Sequence, residues 1–154
     1  MILVKDIYKY IFFWYNLKGD KMEKSCGAVI YKFENNEYKY LLLHQNNNYW
    51  SFPKGHIENN ETEEETAIRE TKEECNLDII INTNFKEIIK YIIPEKNILK
   101  EAVYFIAKPI TNDIKIDKKE INEYKWLNYN DAYQTLQFDN IKDVLNKAKN
   151  FLLK

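Results

Sequence analysis

Six glutamates crowd one short segment of this 154-residue chain: Glu63, Glu64, Glu65, Glu70, Glu73 and Glu74. Only Arg69 and Lys72 offset them there. Carboxylates this close repel one another unless a cation lies among them. Mg²⁺ and Mn²⁺ prefer hard oxygen ligands, and a divalent cation opens a phosphoanhydride by neutralising its oxygens and activating a water. The segment therefore indicates metal-dependent chemistry on a polyphosphate, although a solvated acidic face is the commoner outcome for a Glu-rich helix taken alone.

The segment is predicted to form one helix, from about residue 63 to about residue 75. Thr62 and Glu65 have the spacing of a capping box, and Asn76 stands where Gly, or next Asn, ends a helix in the left-handed conformation. Helical geometry places one group of residues on the core face: Ala67, Ile68, Thr71 and Cys75. The neighbouring arc holds Glu70, Glu73 and Glu74, whose carboxylates are predicted to converge at the edge of the buried face.

The spacing of the polar residues is that of a known motif. Gly55, Glu61, Arg69, Glu70, Glu73 and Glu74 follow the pattern G-x5-E-x7-R-E-x2-E-E. This pattern resembles the Nudix box, G-x5-E-x7-R-E-U-x-E-E-x-G-U, in which U is aliphatic. Thr71 replaces the aliphatic residue after Arg-Glu, and Asn76 replaces the last Gly. Neither position is a metal ligand, and Asn tolerates the left-handed backbone.

The stretch before the box narrows the resemblance. Residues 50–56 read W-x-x-P-K-G-H, and with the box and residues 124–127 they resemble the asymmetric bis(5'-nucleosyl)-tetraphosphatases, or diadenosine tetraphosphate hydrolases. The resemblance covers roughly residues 24–154. It implies hydrolysis of diadenosine tetraphosphate, a small-molecule dinucleoside polyphosphate, to ATP and AMP with Mg²⁺, or alternatively Mn²⁺. It also implies an α+β fold, the Nudix-type α/β/α sandwich with a mixed β-sheet between helices.

The catalytic and metal-binding residues follow from the box and from the resemblance. The predicted metal ligands are the Gly55 carbonyl and the carboxylates of Glu70, Glu73, Glu74 and Glu120, with Glu120 assigned by the resemblance alone. One carboxylate is expected to orient or deprotonate the attacking water. Arg69, also assigned to the catalytic group, is expected to pair with Glu61 or with a metal-binding glutamate. Glu61 is then structural.

Five residues are predicted to bind substrate: Lys54, His56, Tyr91, Lys100 and Tyr124. Lys54 directly precedes the box glycine and is well placed to meet a phosphate oxygen, although a surface lysine is the more usual outcome. His56 also fits an ordinary loop histidine. The resemblance implies that Tyr91 and Tyr124 stack on adenine and that Lys100 lies near the phosphates. Most of the 12 tyrosines must nevertheless be core or surface residues.

Composition limits the class of protein. A chain of 154 residues with 45% hydrophobic content fits one domain, predicted over residues 22–154 after an N-terminal extension, residues 1–21. That extension is read either as a helix packed on the domain or as a dispensable segment; its apolar run at 10–15 is too short to span a bilayer. A net charge of −1 gives no case for a nucleic acid or membrane partner. Cys26 and Cys75 are expected as free buried thiols of a monomeric cytoplasmic protein.

The remaining elements are predicted from apolar runs rich in β-branched and aromatic residues and from the turn residues between them. Strands are expected at 26–33 and 38–44, as a hairpin, then at 77–81, 85–93 and 102–107, with a short edge strand at 113–117 and a helix start at 130–132. A final helix carries one apolar stripe taken as core: Phe138, Ile141, Val144, Leu145, Ala148, Phe151 and Leu152.

Two rival functions remain open. The first is another Nudix substrate: a 5'-capped RNA end, an inositol pyrophosphate or a nucleoside triphosphate. The second is a binding module that reads nucleotides without hydrolysing them. Loss of box glutamates would favour the module, and none is lost here.

Overall fold

The computed structural model describes residues 22–93 and 95–154. The predicted extension, residues 1–21, lies outside the described residues. Within the two described ranges, seven strands and three helices follow in chain order: β1 (Glu23–Glu34), β2 (Glu37–Gln45), β3 (Trp50–Ser51), β4 (Lys54–His56), α1 (Glu63–Cys75), β5 (Ile79–Ile93), β6 (Ile98–Pro109), β7 (Ile121–Asn128), α2 (Tyr129–Thr135) and α3 (Asp139–Leu152).

The strands form one mixed sheet. Its main order is β3-β2-β1-β6-β5, while β4 pairs with β1 and β7 pairs with β2. The β1–β6 pair is parallel and the other pairs are antiparallel. The predicted hairpin between β1 and β2 is present, and Asn35 and Asn36 at its turn both have positive φ, as a two-residue turn of the mirror-image type requires.

The two faces of the sheet bury different helices. Along β1, Ala28 and Ile30 pack on one face with Cys75 and Leu77 at the end of α1, while Val29 and Tyr31 pack on the other face. The second face carries α2 and α3, which contribute Ala132, Leu136, Ile141, Val144, Leu145 and Ala148. The period-two alternation of β1 therefore places helices on both sides of the sheet. The predicted α+β sandwich is confirmed.

The structure corrects four local predictions. β5 runs unbroken from Ile79 to Ile93, with an irregular register between Asn82 and Lys86 in place of a loop. Phe138 is exposed ahead of α3, although the rest of its stripe is buried or packed on the core. On α1, Ile68 is exposed instead of buried. Residues 113–117 form no strand; their backbone bonds to α1, as described below.

Candidate active site

α1 begins and ends as the sequence predicts. The Thr62 hydroxyl accepts a hydrogen bond from the backbone N–H of Glu65, and the Glu65 carboxylate accepts one from the Thr62 N–H. Asn76 ends the helix with φ 63°. Thr71, where the motif has an aliphatic residue, is fully buried and donates its hydroxyl to the Ala67 carbonyl at 2.8 Å. Its polar atom is therefore satisfied within the helix.

The loop after β6 closes the C-terminal end of α1. The N–H groups of Lys115 and Asp117 donate to the carbonyls of Cys75 and Glu74, at 3.1 and 3.0 Å. The last carbonyls of a helix lack partners in their own helix, so this loop satisfies them and fixes the end of α1 that carries Glu74. Because its N–H groups point to the helix, the segment does not pair as the predicted edge strand.

Arg69 ties the two halves of the motif together. Its guanidinium donates to both carboxylate oxygens of Glu61, at 2.5 and 3.0 Å, and to the His56 carbonyl at 2.8 Å. The predicted pairing of Arg69 with Glu61 is therefore present. The same guanidinium reaches Glu70 at 2.7 Å and Glu73 at 3.2 Å. Hydrogen bonding to Arg69 lowers the pKa of Glu61 to about 2, so Glu61 carries its charge throughout the neutral range.

Glu70 is held against the glycine of the motif. A Cβ built on Gly55 would come within 2.0 Å of the Glu70 carboxyl carbon, so only glycine lets the strand approach this carboxylate. Glu70 is 9% exposed. Burial raises its pKa, and Arg69 opposes that rise. The helix therefore buries two of the carboxylates that were predicted to stand at the edge of its core face, Glu70 and Glu74.

Glu74 is the most confined of these carboxylates. Its side chain is buried, and its Oε2 atom has no hydrogen-bond partner in the described part of the chain. Burial raises its pKa to about 9, and the charges of Glu70 and Glu120 add to that rise. The backbone N–H of Lys54 and its ammonium group act in the opposite direction. An unpartnered buried carboxylate oxygen beside two further carboxylates is a site that a cation would satisfy.

The carboxylates are near one another without forming a finished metal site. Within residues 22–93 and 95–154, no three acidic, histidine or cysteine side chains are arranged to hold a metal ion. Arg69 pairs with both Glu70 and Glu73, and the Glu73 side chain is 56% exposed. The residues still fit a divalent cation, because the free Glu74 oxygen and the Gly55–Glu70 contact provide hard oxygen donors.

Basic and aromatic residues gather on the other side of β4. The Lys54 ammonium donates to the Tyr91 hydroxyl at 3.1 Å. Tyr91 on β5 is in register with Lys100 on β6, and Lys100 with Glu23 on β1. Burial lowers the pKa of Lys54 to about 8 and also lowers that of Lys100, to which the Lys54 charge contributes. Burial disfavours the charged form of both lysines, and a bound phosphate would stabilise that form.

Three predicted residues lie at the margins of this site. His56 is exposed and its Nε2 atom lies 3.4 Å from a Glu23 oxygen. Glu120 follows the loop that closes α1 and bonds through its carbonyl to the Asn46 N–H at 2.8 Å, and its charge raises the pKa values of Glu70 and Glu74. Tyr124 stands apart, on β7 in register with Leu43. Its face of the sheet is the one opposite Tyr91, and β2, β1 and β6 lie between them.

Sequence reasoning missed one group near the site, the hydroxyl of Tyr104. Tyr104 lies in the middle of β6, and a tyrosine in a strongly apolar strand has the pattern of a core residue. Its ring is fully buried, yet the hydroxyl has no hydrogen-bond partner among the described residues. Only the three-dimensional arrangement shows that burial, and then the charges of Tyr91, Tyr49 and Glu74, raise the pKa of this hydroxyl.

A mixed sheet between helices, with the acidic helix α1 following the strand β4 that carries Gly55, is the arrangement of the Nudix class of folds. The NUDIX domain family model matches residues 24–148, and the chain belongs to this family.

Named relatives agree with this membership. A Sus scrofa protein named bis(5'-nucleosyl)-tetraphosphatase [asymmetrical] is 33% identical over 141 residues, covering 84% of this chain and 95% of the relative. The Caenorhabditis elegans protein of the same name is 31% identical over 134 residues, with 84% and 96% covered. The crystal structure of a C. elegans Ap4A hydrolase binary complex superposes with a TM-score of 0.79 at 31% identity, covering 85% of this chain and 98% of that chain.

Proposed function

We propose that this chain hydrolyses dinucleoside polyphosphates and cleaves diadenosine tetraphosphate asymmetrically to ATP and AMP. One observation carries the proposal: the buried carboxylates of α1 and two partly buried lysines, Lys54 and Lys100, lie near β4. Lys54 opposes the rise in the pKa of Glu74, while its ammonium group donates to the Tyr91 hydroxyl. A polyphosphate needs both kinds of group, cations along its oxygens and carboxylates that hold a divalent metal. Relatives named for this reaction, at 30–33% identity, support the choice of substrate.

The carboxylates would hold the metal. Glu70, Glu73 and Glu74, with the Gly55 carbonyl and Glu120, are the proposed ligands of Mg²⁺, and Mn²⁺ is the alternative. When bound, a divalent cation neutralises phosphate oxygens and activates a water for attack on phosphorus. Arg69 holds Glu70 and Glu73 on one guanidinium nitrogen, so it orients both carboxylates. Glu61 anchors Arg69 and touches no reacting group.

Lys54 and Lys100 would bind the phosphates of the substrate. Both lysines gain from a phosphate partner, since burial lowers the pKa of each. We keep Tyr91 as the proposed base-stacking residue, because its ring lies beside Lys54 with the ammonium 5.7 Å from the ring centre. His56 is proposed to contact substrate from the exposed rim. Tyr124 is proposed as a separate substrate contact, because it lies on β7 and not beside Tyr91.

The proposal includes a compartment, an oligomeric state and a catalytic domain. Within the described part of the chain, no helix has the length and apolarity that crossing a bilayer requires. Both cysteines are free and buried. We propose the cytoplasm as the compartment and a monomer as the working state, with residues 22–154 forming the catalytic domain. Size-exclusion chromatography with light scattering would test the monomer directly.

Product analysis tests the activity. Purified chain, diadenosine tetraphosphate and Mg²⁺ should give equal amounts of ATP and AMP on ion exchange, and the Glu73→Gln variant should give neither at a comparable rate. ADP as the sole product would contradict the asymmetric reaction. Absence of any product would contradict the substrate, and 5'-capped RNA, inositol pyrophosphate and nucleoside triphosphates would be assayed next. Calorimetric binding of the dinucleotide without turnover of any of these would favour a binding module.

A further inference from the structure

Three buried side-chain oxygens lack hydrogen-bond partners in the described part of the chain. They are Ser25 Oγ, Glu74 Oε2 and Tyr104 Oη. Buried polar groups without partners are rare because each is costly. Two of them, Ser25 and Tyr104, belong to neighbouring strands and one face of the sheet, since Ser25 is in register with Ala102 and Gly27 with Tyr104. Ser25 and Gly27 also pair with β4.

Small side chains leave room on this face of the sheet. Ser25 on β1 is in register with Ala102 on β6, and Gly27 with Tyr104. Ala102 and Tyr104 face the same side, which is the side that Tyr91 packs against. A Cβ on Gly27 would meet the Pro53 carbonyl at 2.1 Å and the Lys54 Cβ at 2.6 Å. Because residue 27 has no side chain, the Cβ of Lys54 can approach the backbone of β1 at the position in register with Tyr104.

The ring of Tyr104 is buried in the core, while its hydroxyl lacks a partner among the described residues. Its ring packs edge-on against Phe52, 5.7 Å between centres. Its hydroxyl is close enough to Tyr91, Tyr49 and Glu74 for their charges to affect its ionisation. Lys100 lies on the same face of β6 as Tyr104, with only Ala102 between them on that face. The Tyr104 hydroxyl, Lys54 and Lys100 therefore border a part of the sheet that carries small residues, Gly27 and Ala102.

We propose that the Tyr104 hydroxyl is a phosphate-binding group that donates a hydrogen bond to the polyphosphate oxygen held by Lys54 and Lys100. In the free chain Lys54 is engaged with Tyr91 at 3.1 Å, and the Tyr104 hydroxyl stays covered. A phosphate that draws the Lys54 ammonium away from Tyr91 uncovers the hydroxyl and supplies the missing acceptor. This inference rests on the proposed function for the substrate and adds a residue to its phosphate site.

The test is the Tyr104→Phe variant, which removes one oxygen and keeps the ring that packs on Phe52. A hydrogen bond to a charged oxygen corresponds to about a tenfold or larger change in affinity. The variant should therefore raise KM for diadenosine tetraphosphate about tenfold. Its Tm should be equal to that of the unaltered chain or higher, because the lost hydroxyl has no partner in the free protein.

Tyr40→Phe is the matched control. Tyr40 is also a buried tyrosine of the same core; it lines a separate cavity of about 260 Å³ with Tyr38, Tyr129 and Lys149. The control should leave KM unchanged. If Tyr104→Phe instead lowers Tm and leaves KM unchanged, the hydroxyl has a structural partner such as a buried water, and the inference is wrong.

A binding measurement separates this inference from the proposed activity. Inorganic tripolyphosphate, titrated calorimetrically into the full chain, needs no turnover and no base recognition. Binding that weakens about tenfold in Tyr104→Phe but not in Tyr40→Phe supports the inference even if diadenosine tetraphosphate is not cleaved. Equal binding by the two variants, or no binding by the unaltered chain, overturns it even if the activity is confirmed.

Discussion

The two ends of the Nudix motif treat their carboxylates in opposite ways. At the N-terminal end, Glu61 accepts hydrogen bonds from Arg69 and Thr66, and its pKa falls to about 2. At the C-terminal end of α1, Glu74 is buried with one free oxygen, and its pKa rises to about 9. The first carboxylate stabilises the free chain, while the second is stable as a carboxylate only with an added cation. The contrast separates the part of the motif that builds the fold from the part that binds.

The largest expected effect comes from Glu74→Gln. The variant loses a proposed metal ligand, so turnover of diadenosine tetraphosphate should fall by more than about 10²-fold. It also removes a carboxyl that burial disfavours in its charged form, so Tm at pH 8 without metal should stay equal or rise.

Glu61→Gln is the matched opposite. It breaks the paired contact with Arg69, so its Tm should fall. Differential scanning fluorimetry and a coupled ATP assay on both variants measure the contrast. A lower Tm in Glu74→Gln, or an unchanged Tm in Glu61→Gln, would remove the distinction between the two ends.

Gly55→Ala should give the next largest effect. The new methyl group would collide with the Glu70 carboxylate, which lies at the end of a flexible side chain and can move aside. Misplacing a catalytic carboxylate by about 1 Å costs as much as about 10²-fold in rate, so turnover should fall by roughly 10- to 10²-fold with little change in Tm.

Gly27→Ala is the control for this substitution. Its methyl group would strike the backbone carbonyl of Pro53, which cannot move without distorting β4. The Gly27→Ala variant should therefore have a much lower Tm or fail to fold. Retained activity in Gly55→Ala would show that Glu70 is not a metal ligand.

The smallest expected effect is on the pH dependence of stability. The folded pKa of Glu74, about 9, lies above its ordinary value of 4.5, so from pH 5 to 8 the folded chain keeps a proton that the unfolded chain has released. Its contribution to stability is complete below pH 4.5 and is lost as the pH rises through the folded pKa. Tm without metal should therefore fall by roughly 5 °C between pH 5 and 8.

The same profile has two internal checks. Glu74→Gln should flatten it, because the titrating group is gone. Added Mg²⁺ should raise Tm more at pH 8 than at pH 5, since protons compete with the cation for the carboxylates. A fall of equal size in Glu74→Gln would assign the slope to other groups.

The fold and the frame of the motif were open to prediction because they depend on local signals. Capping at Thr62, the stop at Asn76 and the β-branched and aromatic run of β1 each act within a few residues, and the helix ends and the strand that they predict are confirmed. The predicted burial of Ile68 was wrong. Helical geometry shows which residues of α1 share one side of the helix, but the packing against the sheet decides which of them are buried. There the sheet covers Glu70 and Glu74.

The binding groups depend on partners far apart in the chain, which the sequence cannot order. The Lys54–Tyr91 hydrogen bond joins residues 37 positions apart, and no local pattern distinguishes it from a surface lysine beside an unrelated tyrosine. The same limit explains Tyr124. Its segment resembles the family's pattern, but the topology places three strands between it and Tyr91.

Asparagine at the turns has a consequence for the unfolded chain. Outside glycine, every positive-φ residue in the described part of the chain is an asparagine: Asn35, Asn36, Asn48, Asn59, Asn76 and Asn97. A glycine at these six positions would adopt the left-handed backbone with less strain, but would give the unfolded chain more conformational freedom to lose on folding. The chain has only 3 glycines in 154 residues. Its unfolded state therefore has less backbone conformational entropy to lose at these turns than it would with glycine there.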